Sequence, residues 1–240
     1  MLISNADPVW ENIYAAGQRN RYPWDIVVTF VFRYAPKNTP RQDVRILEVG
    51  CGTASNLWFA AREGFSVSGI DCSATAIAVA NEWFLKEGLQ SDLRVGAFTE
   101  LDFEDAQFDL VIDRGSLVCV GLETARRAIV EIKRTLKQGG YFLFNPYSNS
   151  HTSASAGEPG EDGVVQNINR GTLVGVGSLC FYTRQNLIDA FDGDWRVISI
   201  QHSEITETDS ATPSVHAEWR VILQKLPIAL YSTNEFGVSA

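Results

Sequence analysis

The sequence predicts an α/β fold, in which a doubly wound, mostly parallel sheet has helices on both faces. Three observations predict it: short apolar runs typical of buried strands alternate with segments of helical periodicity, a glycine turn follows the first run, and an acidic residue ends the second. Such sheets bind ligands beyond the carboxyl ends of their strands, where the strand order reverses. The fold class therefore also predicts where the functional site lies.

Residues 1–43 precede the first strand and are predicted to form an N-terminal helical cap. Pro23 lies where a helix can start, and residues 24–34 are apolar at nearly every position, which predicts a mostly buried helix ended by Pro36. The segment 10–24 is expected to lie over the ligand-binding edge as a lid. Its aromatic and basic side chains are Trp10, Tyr14, Arg19, Arg21, Tyr22 and Trp24.

The alternating core lies between residues 44 and 146. Apolar runs, glycine stops and a Ser73 cap predict its elements. They are a strand at 45–49, a helix at about 54–62, a strand at 66–70, a helix at about 74–86, strands at 92–95 and 108–112, a helix at about 122–136 and a strand at 141–144. The inward face of the 74–86 helix is predicted to carry Ile77, Asn81, Phe84 and Leu85. Gly139-Gly140 is predicted to end the 122–136 helix.

After Asn145 the composition changes. Residues 148–163 are rich in Ser, Gly, Glu, Asp and Pro, which predicts a long exposed loop. The later elements are an extended segment at 172–182, a short helix at 184–191 and a closing hairpin of strands at 195–205 and 216–226. We find no repeat and no second domain. The predicted organisation is a single domain over 1–240, with a cap (1–43), a cofactor-binding core (44–146), a substrate-side region (147–226) and a tail (227–240).

The composition excludes several classes of partner. The net charge of −9 argues against nucleic acid and against an anionic membrane surface. Four widely spread cysteines without a C-x-x-C pair predict neither a disulfide framework nor a metal site. No secretory signal and no apolar run long enough to span a bilayer are found, so the expected location is the cytoplasm.

The glycine turn and the acid after it predict a nucleoside site. Gly50 and Gly52 allow a tight turn that a ligand can approach closely. Asp71 stands twenty-one positions after Gly50, at the end of the second strand, where a carboxylate can accept hydrogen bonds from both hydroxyls of a ribose.

The charge near this turn indicates which nucleoside is bound. A dinucleotide fingerprint has a third glycine, and this chain has Ser55 at that position. Glu48 lies two residues before the first glycine, where its carboxylate would repel a pyrophosphate and attract an ammonium or sulfonium. S-adenosylmethionine has a ribose, an ammonium and a sulfonium, and it has no phosphate. It is therefore the predicted cofactor.

Four motifs in order carry a family resemblance over roughly residues 44–146. They are Leu47-Glu48-Val49-Gly50-Cys51-Gly52-Thr53, Gly69-Ile70-Asp71-Cys72-Ser73, Phe108-Asp109-Leu110-Val111-Ile112-Asp113 and Leu136-Lys137-Gln138-Gly139-Gly140-Tyr141. The chain resembles class I S-adenosylmethionine-dependent methyltransferases that act on small molecules, of methyltransferase type 11/12 or thiopurine-methyltransferase-like. The resemblance implies a Rossmann-like, seven-stranded sheet that ends with an antiparallel strand.

By this resemblance Gly50 and Gly52 would line the methionine part of the cofactor, Asp71 would hold the ribose and Cys72 would lie along the adenine. Relatives often have Gly-Asp after the third strand, where this chain has Gly96-Ala97-Phe98, so a backbone carbonyl or Glu100 would have to meet the adenine amine. The full set of predicted cofactor-binding residues is Tyr14, Glu48, Gly50, Cys51, Gly52, Asp71, Cys72, Ser73, Ala97, Phe98, Asp113 and Arg114.

Two residues are candidates for catalysis. His151, in the segment after the fifth strand, is the candidate base for a hydroxyl acceptor, with a loop histidine as the structural alternative. Asp113, at the end of the fourth strand, is expected to bind the acceptor or the cofactor ammonium, or else to cap the following turn. His202 and His216 belong to the predicted hairpin and are expected to be structural.

The predicted function is transfer of a methyl group from S-adenosylmethionine to a small molecule, on oxygen. The alternatives are an NAD(P)-dependent oxidoreductase, which Glu48 and Ser55 argue against, and a non-catalytic module that binds S-adenosylmethionine. The expected partners are a small-molecule substrate, with no nucleic acid and no membrane. A homodimer is left open.

Overall fold

A computed structural model describes residues 8–227, apart from residues 192, 194 and 210. The predicted tail after Pro227 lies outside the described residues. The helices are α1 (Val9–Ala15), α2 (Asp25–Tyr34), α3 (Ser55–Arg62), α4 (Ala74–Lys86), α5 (Leu122–Thr135) and α6 (Arg184–Ala190). Ser73 caps α4 by accepting a hydrogen bond from the backbone N–H of Ala76, as the sequence predicts.

The strands are β1 (Arg45–Val49), β2 (Ser66–Asp71), β3 (Asp92–Val95), β4 (Phe108–Asp113), β5 (Leu136–Phe144), β6 (Glu158–Pro159), β7 (Val164–Gln166), β8 (Leu179–Cys180), β9 (Trp195–Glu207) and β10 (Ser214–Lys225). Seven of them form the central sheet, in the order β3-β2-β1-β4-β5-β10-β9. Strands β1 to β5 are parallel, and β10 runs antiparallel to both β5 and β9. The predicted fold class is confirmed, including the closing hairpin.

Strand β1 shows why two faces of the sheet are covered. Ile46 and Leu47 are both fully buried, yet successive side chains of a strand point to opposite faces. Ile46 packs in a cluster with Phe30 of α2 and Leu57 of α3, whereas Leu47 packs in a second cluster with Ile129 of α5. A strand without a polar alternation is the pattern expected for a parallel sheet between two helical layers.

Three predicted details of the core are wrong. Asn81 and Leu85, predicted to face inward on α4, are both exposed, Leu85 to 80%, because the buried face runs through Ala76, Ile77, Ala80 and Phe84. Helix α5 ends at Thr135, and β5 begins at Leu136, five residues earlier than predicted. Leu136 is fully buried opposite Phe108 of β4. The next pair is Leu110 and Tyr141, and Gly139, which has a positive φ angle, lies in the register shift between the two pairs.

The segment after β5 is more ordered than its composition predicts. Strands β6, β7 and β8 form a small antiparallel sheet. Strand β6 lies in the predicted loop, β8 lies in the predicted extended segment, and β7 lies between the two. The side chains of Ser148, His151 and Ser153 are buried. Backbone hydrogen bonds tie residues 146–148 to β10, which fixes this segment against the carboxyl edge of the sheet.

Candidate active site

The glycine turn after β1 is shaped by what packs against it. Gly50 and Gly52 both have positive φ angles, +63° and +54°. A Cβ atom at Gly50 would lie 2.1 Å from the Cβ of Ser116, and one at Gly52 would lie 2.5 Å from the hydroxyl oxygen of Tyr14. Both the backbone conformation and the space therefore require glycine here, as the sequence predicts.

Asp71 lies at the end of β2 and is held by the glycine turn. One carboxylate oxygen accepts a hydrogen bond from the backbone N–H of Gly52, and the other accepts one from Ser73, both at 2.8 Å. Burial raises the pKa of Asp71, and these two backbone donors oppose the shift. The Cys72 side chain also hydrogen-bonds to this carboxylate, and because a carboxylate has about four lone-pair positions, capacity remains for a ligand.

Asp71 lines a cavity that we call the Asp71 chamber. Its wall also includes Trp10 and Tyr14 of α1, Cys72 and Phe98. The chamber combines an acid with aromatic and apolar surfaces, which suits a ribose and a flat base.

A second, larger cavity of about 540 Å³ adjoins the first. It is called the His216 chamber because His216 of β10 lies in its wall, together with Glu48, Tyr147 and Thr172. The two chambers share five lining residues, which are Trp10, Tyr14, Gly50, Arg114 and Gly115. A ligand in one chamber is therefore in reach of a ligand in the other.

Glu48 is buried in the wall of the His216 chamber, with only 2% of its surface exposed. One of its oxygens accepts a hydrogen bond from the Asn56 side-chain amide at 2.6 Å, and the other has no hydrogen-bond partner. Burial raises the pKa of Glu48 to about 8. The permanent negative charge expected from the sequence is thus corrected: the free chain holds a mostly neutral carboxyl at pH 7, which a nearby cation would ionise.

The predicted lid is formed by α1 and the residues after it. Glu11 of α1 accepts hydrogen bonds from the hydroxyl groups of Ser73 and Thr75 at the start of α4. Trp10 and Trp24 line the His216 chamber, whereas Tyr22 is 75% exposed. The lid prediction therefore fits most of its aromatic residues.

Arg114, which follows β4, links the lid to the far wall of the His216 chamber. Its guanidinium lies 3.9 Å from the centre of the Trp24 ring, and one nitrogen is 3.6 Å from a carboxylate oxygen of Glu218 on β10. Its side chain is only 6% exposed, and its Nε atom has no hydrogen-bond partner. Arg114 therefore gives this chamber a buried positive charge and one N–H donor without a hydrogen-bond partner.

Several predicted site residues do not line either chamber. Asp113 is fully buried, and its Oδ1 atom caps the turn to Leu117 by accepting from backbone N–H groups of Ser116 and Leu117, which is the structural alternative. The Ser73 hydroxyl is engaged by α1 and α4. Ala97 and His151 are also absent from both walls, whereas the other predicted residues line at least one.

The structure does not place His151, the predicted base, in the wall of either chamber. His151 is 1% exposed, and its Nδ1 atom accepts a hydrogen bond from the backbone N–H of Ser153, so it caps the turn that follows it. His216, expected to be structural, lies in the chamber wall. One sequence pattern could have pointed to His216. A histidine, a glutamate and an arginine stand at the alternate positions 216, 218 and 220, so all three side chains share one face of β10.

Comparison with known proteins agrees with this architecture. A family described as "Methyltransferase domain" matches residues 46–140. A ubiquinone biosynthesis O-methyltransferase from Xylella fastidiosa is 30% identical over 58% of this chain and 56% of its own. An uncharacterized protein from Haemophilus influenzae is 33% identical over 42% of each chain. The chain spans about half the length of the curated relatives it matches.

A solved structure extends the likeness to most of the chain. A methyltransferase structure from Methanosarcina mazei, described as S-adenosylmethionine-dependent, aligns with a TM-score of 0.66 at 22% identity, over 85% of this chain and 99% of the other. The sheet order and the two adjoining chambers define a class I methyltransferase fold. The match over residues 46–140 and the shared fold agree with the predicted resemblance to class I S-adenosylmethionine-dependent methyltransferases, whose cofactor is S-adenosylmethionine.

The residues present fit that cofactor. The unpartnered oxygen of Glu48 can meet a cation, and the free lone pairs of Asp71 can meet ribose hydroxyls. Gly50 lines both chambers where they adjoin, and Ser116 fills the space that a Cβ atom on Gly50 would need. In the described part of the chain, no group of three or more His, Cys, Asp or Glu residues is arranged to hold a metal ion. None of its helices has the length and apolar character of a membrane span.

Proposed function

We propose that this protein transfers the methyl group of S-adenosylmethionine to a small-molecule acceptor, on oxygen. When bound, the cofactor supplies a methyl group on a positively charged sulfur, which a nucleophilic oxygen can displace. The observation that carries the proposal is the pair of adjoining chambers, one with a ribose-compatible acid and the other with an acceptor-sized space. The relatives named ubiquinone biosynthesis O-methyltransferases support oxygen as the acceptor atom.

The chain's own residues have three tasks in this reaction. Asp71 would hold the ribose, and Glu48 would favour the positive end of the cofactor by ionising as it binds. The lid residues Trp10 and Trp24 would exclude water and align the two reactants. Alignment of two bound reactants alone can contribute about 7–11 kcal/mol to lowering a barrier.

An oxidoreductase is disfavoured by Glu48. A dinucleotide would bring a pyrophosphate to a turn that has the Glu48 carboxyl group in the adjoining wall and Ser55 in place of the third glycine. For the location we propose the cytoplasm, because all four cysteines are free, as is usual in a reducing compartment. The homodimer stays a prediction, which sedimentation velocity tests.

Two measurements test the proposed function. Titration calorimetry with S-adenosylhomocysteine and with NADH is expected to show binding of the first only. Methyl-labelled S-adenosylmethionine incubated with a metabolite extract is expected to give a labelled small molecule that depends on the protein. Binding without any labelled product would instead identify a sensor, and binding of NADH alone would identify an oxidoreductase.

A further inference from the structure

A third cavity shares a wall with the His216 chamber. It has a volume of about 370 Å³ and lies between the lid residues 19–22 and helices α3 and α4. We call residues 19–22 the strap and this cavity the strap pocket. Arg19, Asn20 and Thr53 line both the strap pocket and the His216 chamber. A ligand that extends across the strap would therefore occupy both spaces.

Two indole rings form the apolar part of the strap pocket. The rings of Trp58 on α3 and Trp83 on α4 stack with their centres 5.0 Å apart and their planes 21° from parallel. Both residues are partly buried, and the Tyr22 ring of the strap is 75% exposed beside them. Aromatic side chains bind other flat rings by stacking. The strap pocket therefore suits a ligand that has a planar ring.

The charged side chains of the strap pocket leave a surplus of positive charge. Both acids in its wall have partners, since Glu82 is 2.7 Å from Lys86 and Glu87 accepts a hydrogen bond from an indole N–H at 2.8 Å. The side chains of Arg19 and Arg21, by contrast, form no ion pair or hydrogen bond with any residue that the structure describes. Two guanidinium groups are thus available to an anion.

The strap is tied to the cofactor side of the His216 chamber. The Thr53 hydroxyl donates to the backbone carbonyl of Asn20 at 3.4 Å, and the backbone N–H of Trp24 donates to the Asn56 side chain at 3.0 Å. Asn56 in turn donates to Glu48. A ligand held by the strap would therefore have a fixed position relative to the glycine turn and the cofactor.

We propose that the strap pocket is a subsite for the methyl acceptor, and that the acceptor is an extended molecule with a planar, anionic end. This inference rests on the proposed function. The planar end stacks on the indoles of Trp58 and Trp83, and its anionic oxygens accept hydrogen bonds from Arg19 and Arg21. The end that receives the methyl group lies in the His216 chamber. Arg19, which lines both spaces, determines specificity and takes no part in the chemical step.

The six tryptophans of the chain allow a test without substitution at the subsite. Trp24 lines the His216 chamber, Trp58 and Trp83 line the strap pocket, and Trp195 is buried in the core. The protein is labelled with 5-fluorotryptophan, and its ¹⁹F NMR signals are assigned from single Trp→Phe variants. The acceptor found with the metabolite extract is then added to the complex with S-adenosylhomocysteine.

We expect the signals of Trp24, Trp58 and Trp83 to shift when the acceptor binds, and the signal of Trp195 to stay. A shift at Trp24 with unmoved signals from Trp58 and Trp83 would place the acceptor in the His216 chamber alone. That result would overturn the inference and leave the proposed function standing.

The charge of the acceptor is tested on the extract itself. Passage of the metabolite extract through an anion exchanger at pH 7 should abolish the labelled product, whereas passage through a cation exchanger should leave it. A labelled product that persists after anion exchange would overturn the anionic acceptor while the proposed function stands. The absence of any labelled product from the untreated extract would overturn both.

A matched pair of variants tests the cation on the strap. We expect Arg19→Gln to raise KM for the acceptor about tenfold or more, because a charge-assisted hydrogen bond is lost, while kcat stays within about threefold. S-adenosylhomocysteine should bind within about twofold of wild type. Arg33→Gln is the control, since Arg33 is equally an exposed arginine and lines neither the strap pocket nor the His216 chamber. Equal KM values in the two variants would overturn the inference.

Discussion

The two chambers are built in different ways. The acid of the Asp71 chamber is held by a short stretch of chain, since Asp71 accepts a hydrogen bond from the backbone N–H of Gly52, 19 positions away. The His216 chamber is assembled from distant segments by side-chain contacts, such as the pair His151 and His216, 65 positions apart. The position of the acid in the first chamber therefore depends on local backbone geometry, whereas the wall of the second depends on contacts between side chains far apart in the sequence.

The largest effect on cofactor affinity is expected at Asp71, the common acceptor of two backbone N–H groups. Asp71→Ala removes the partner of two backbone N–H groups and of the ribose, so we expect the affinity for S-adenosylhomocysteine to fall about 10²-fold or more by calorimetry. Asp102→Ala is the control, because that acid follows β3 with a 99% exposed side chain. A loss of less than threefold in Asp71→Ala would show that the local design does not determine binding.

A second variant tests the buried carboxyl that lies beside the glycine turn. Because Glu48 has a folded-state pKa of about 8 against an ordinary value of 4.5, the unfolded chain releases its proton first, and stability falls as pH rises between these values. Glu48→Gln keeps the acceptor for Asn56 and removes this dependence. Its Tm should exceed that of wild type by a margin that grows from pH 5 to pH 8.

The same carboxyl couples binding to protons. At pH 7 a cationic ligand should drive ionisation of Glu48, so S-adenosylmethionine binding is expected to release a proton in wild type and not in Glu48→Gln. Calorimetry in buffers of different ionisation enthalpy measures this release, and we expect about tenfold weaker binding in the variant. Equal proton release in wild type and in Glu48→Gln would show that the released proton does not come from Glu48.

The His216 chamber is tested by the cation that joins it to the lid. Arg114→Lys keeps the charge and loses the planar stacking on Trp24, so we expect the free energy of unfolding to fall by about 1 kcal/mol in denaturant titrations. Arg62→Lys is the matched control, since Arg62 lies 5.0 Å from the Trp58 ring but is 57% exposed. Equal losses of unfolding free energy in the two variants would show that burial of the Arg114–Trp24 pair adds nothing to stability.

The smallest effect is expected at the hydrogen bonds that join α1 to the start of α4. Glu11→Gln weakens the hydrogen bonds from Ser73 and Thr75, so the amides of α1 should exchange hydrogen faster while the affinity for S-adenosylhomocysteine changes about threefold or less. Glu82→Gln, an exposed acid on α4 paired with Lys86, should leave α1 exchange unchanged. Unaltered exchange in Glu11→Gln would mean that Glu11 does not fasten the lid.

The contrast between the chambers also explains what could be predicted from the sequence. Gly50, Gly52 and Asp71 were predictable because a positive φ angle and a strand-end acid leave a mark within a few residues. The same holds for the alternating elements and the hairpin. Predictions failed where long-range contacts decide the outcome, as at Leu136, which joins β5 because it is buried opposite Phe108.

The histidines illustrate the same limit. No local pattern around His151 or Asp113 shows that each accepts the backbone N–H groups of its own turn and so is withdrawn from the chambers. The pKa of Glu48 was equally hidden, since its cause is burial by residues far along the chain. Sequence supplied the chemistry of each side chain, and packing decided its surroundings.

The wall held in common by the two chambers has a practical consequence for inhibitor design. Gly50 has no side chain and borders both spaces, so a single compound could carry an adenosine in one space and an acceptor-like group in the other. Joining two weak ligands makes the second contact intramolecular, and the combined affinity can exceed either alone by about 10²–10⁴-fold when the linker fits. Such a bisubstrate compound would contact the Asp71 chamber with one half and the His216 chamber with the other.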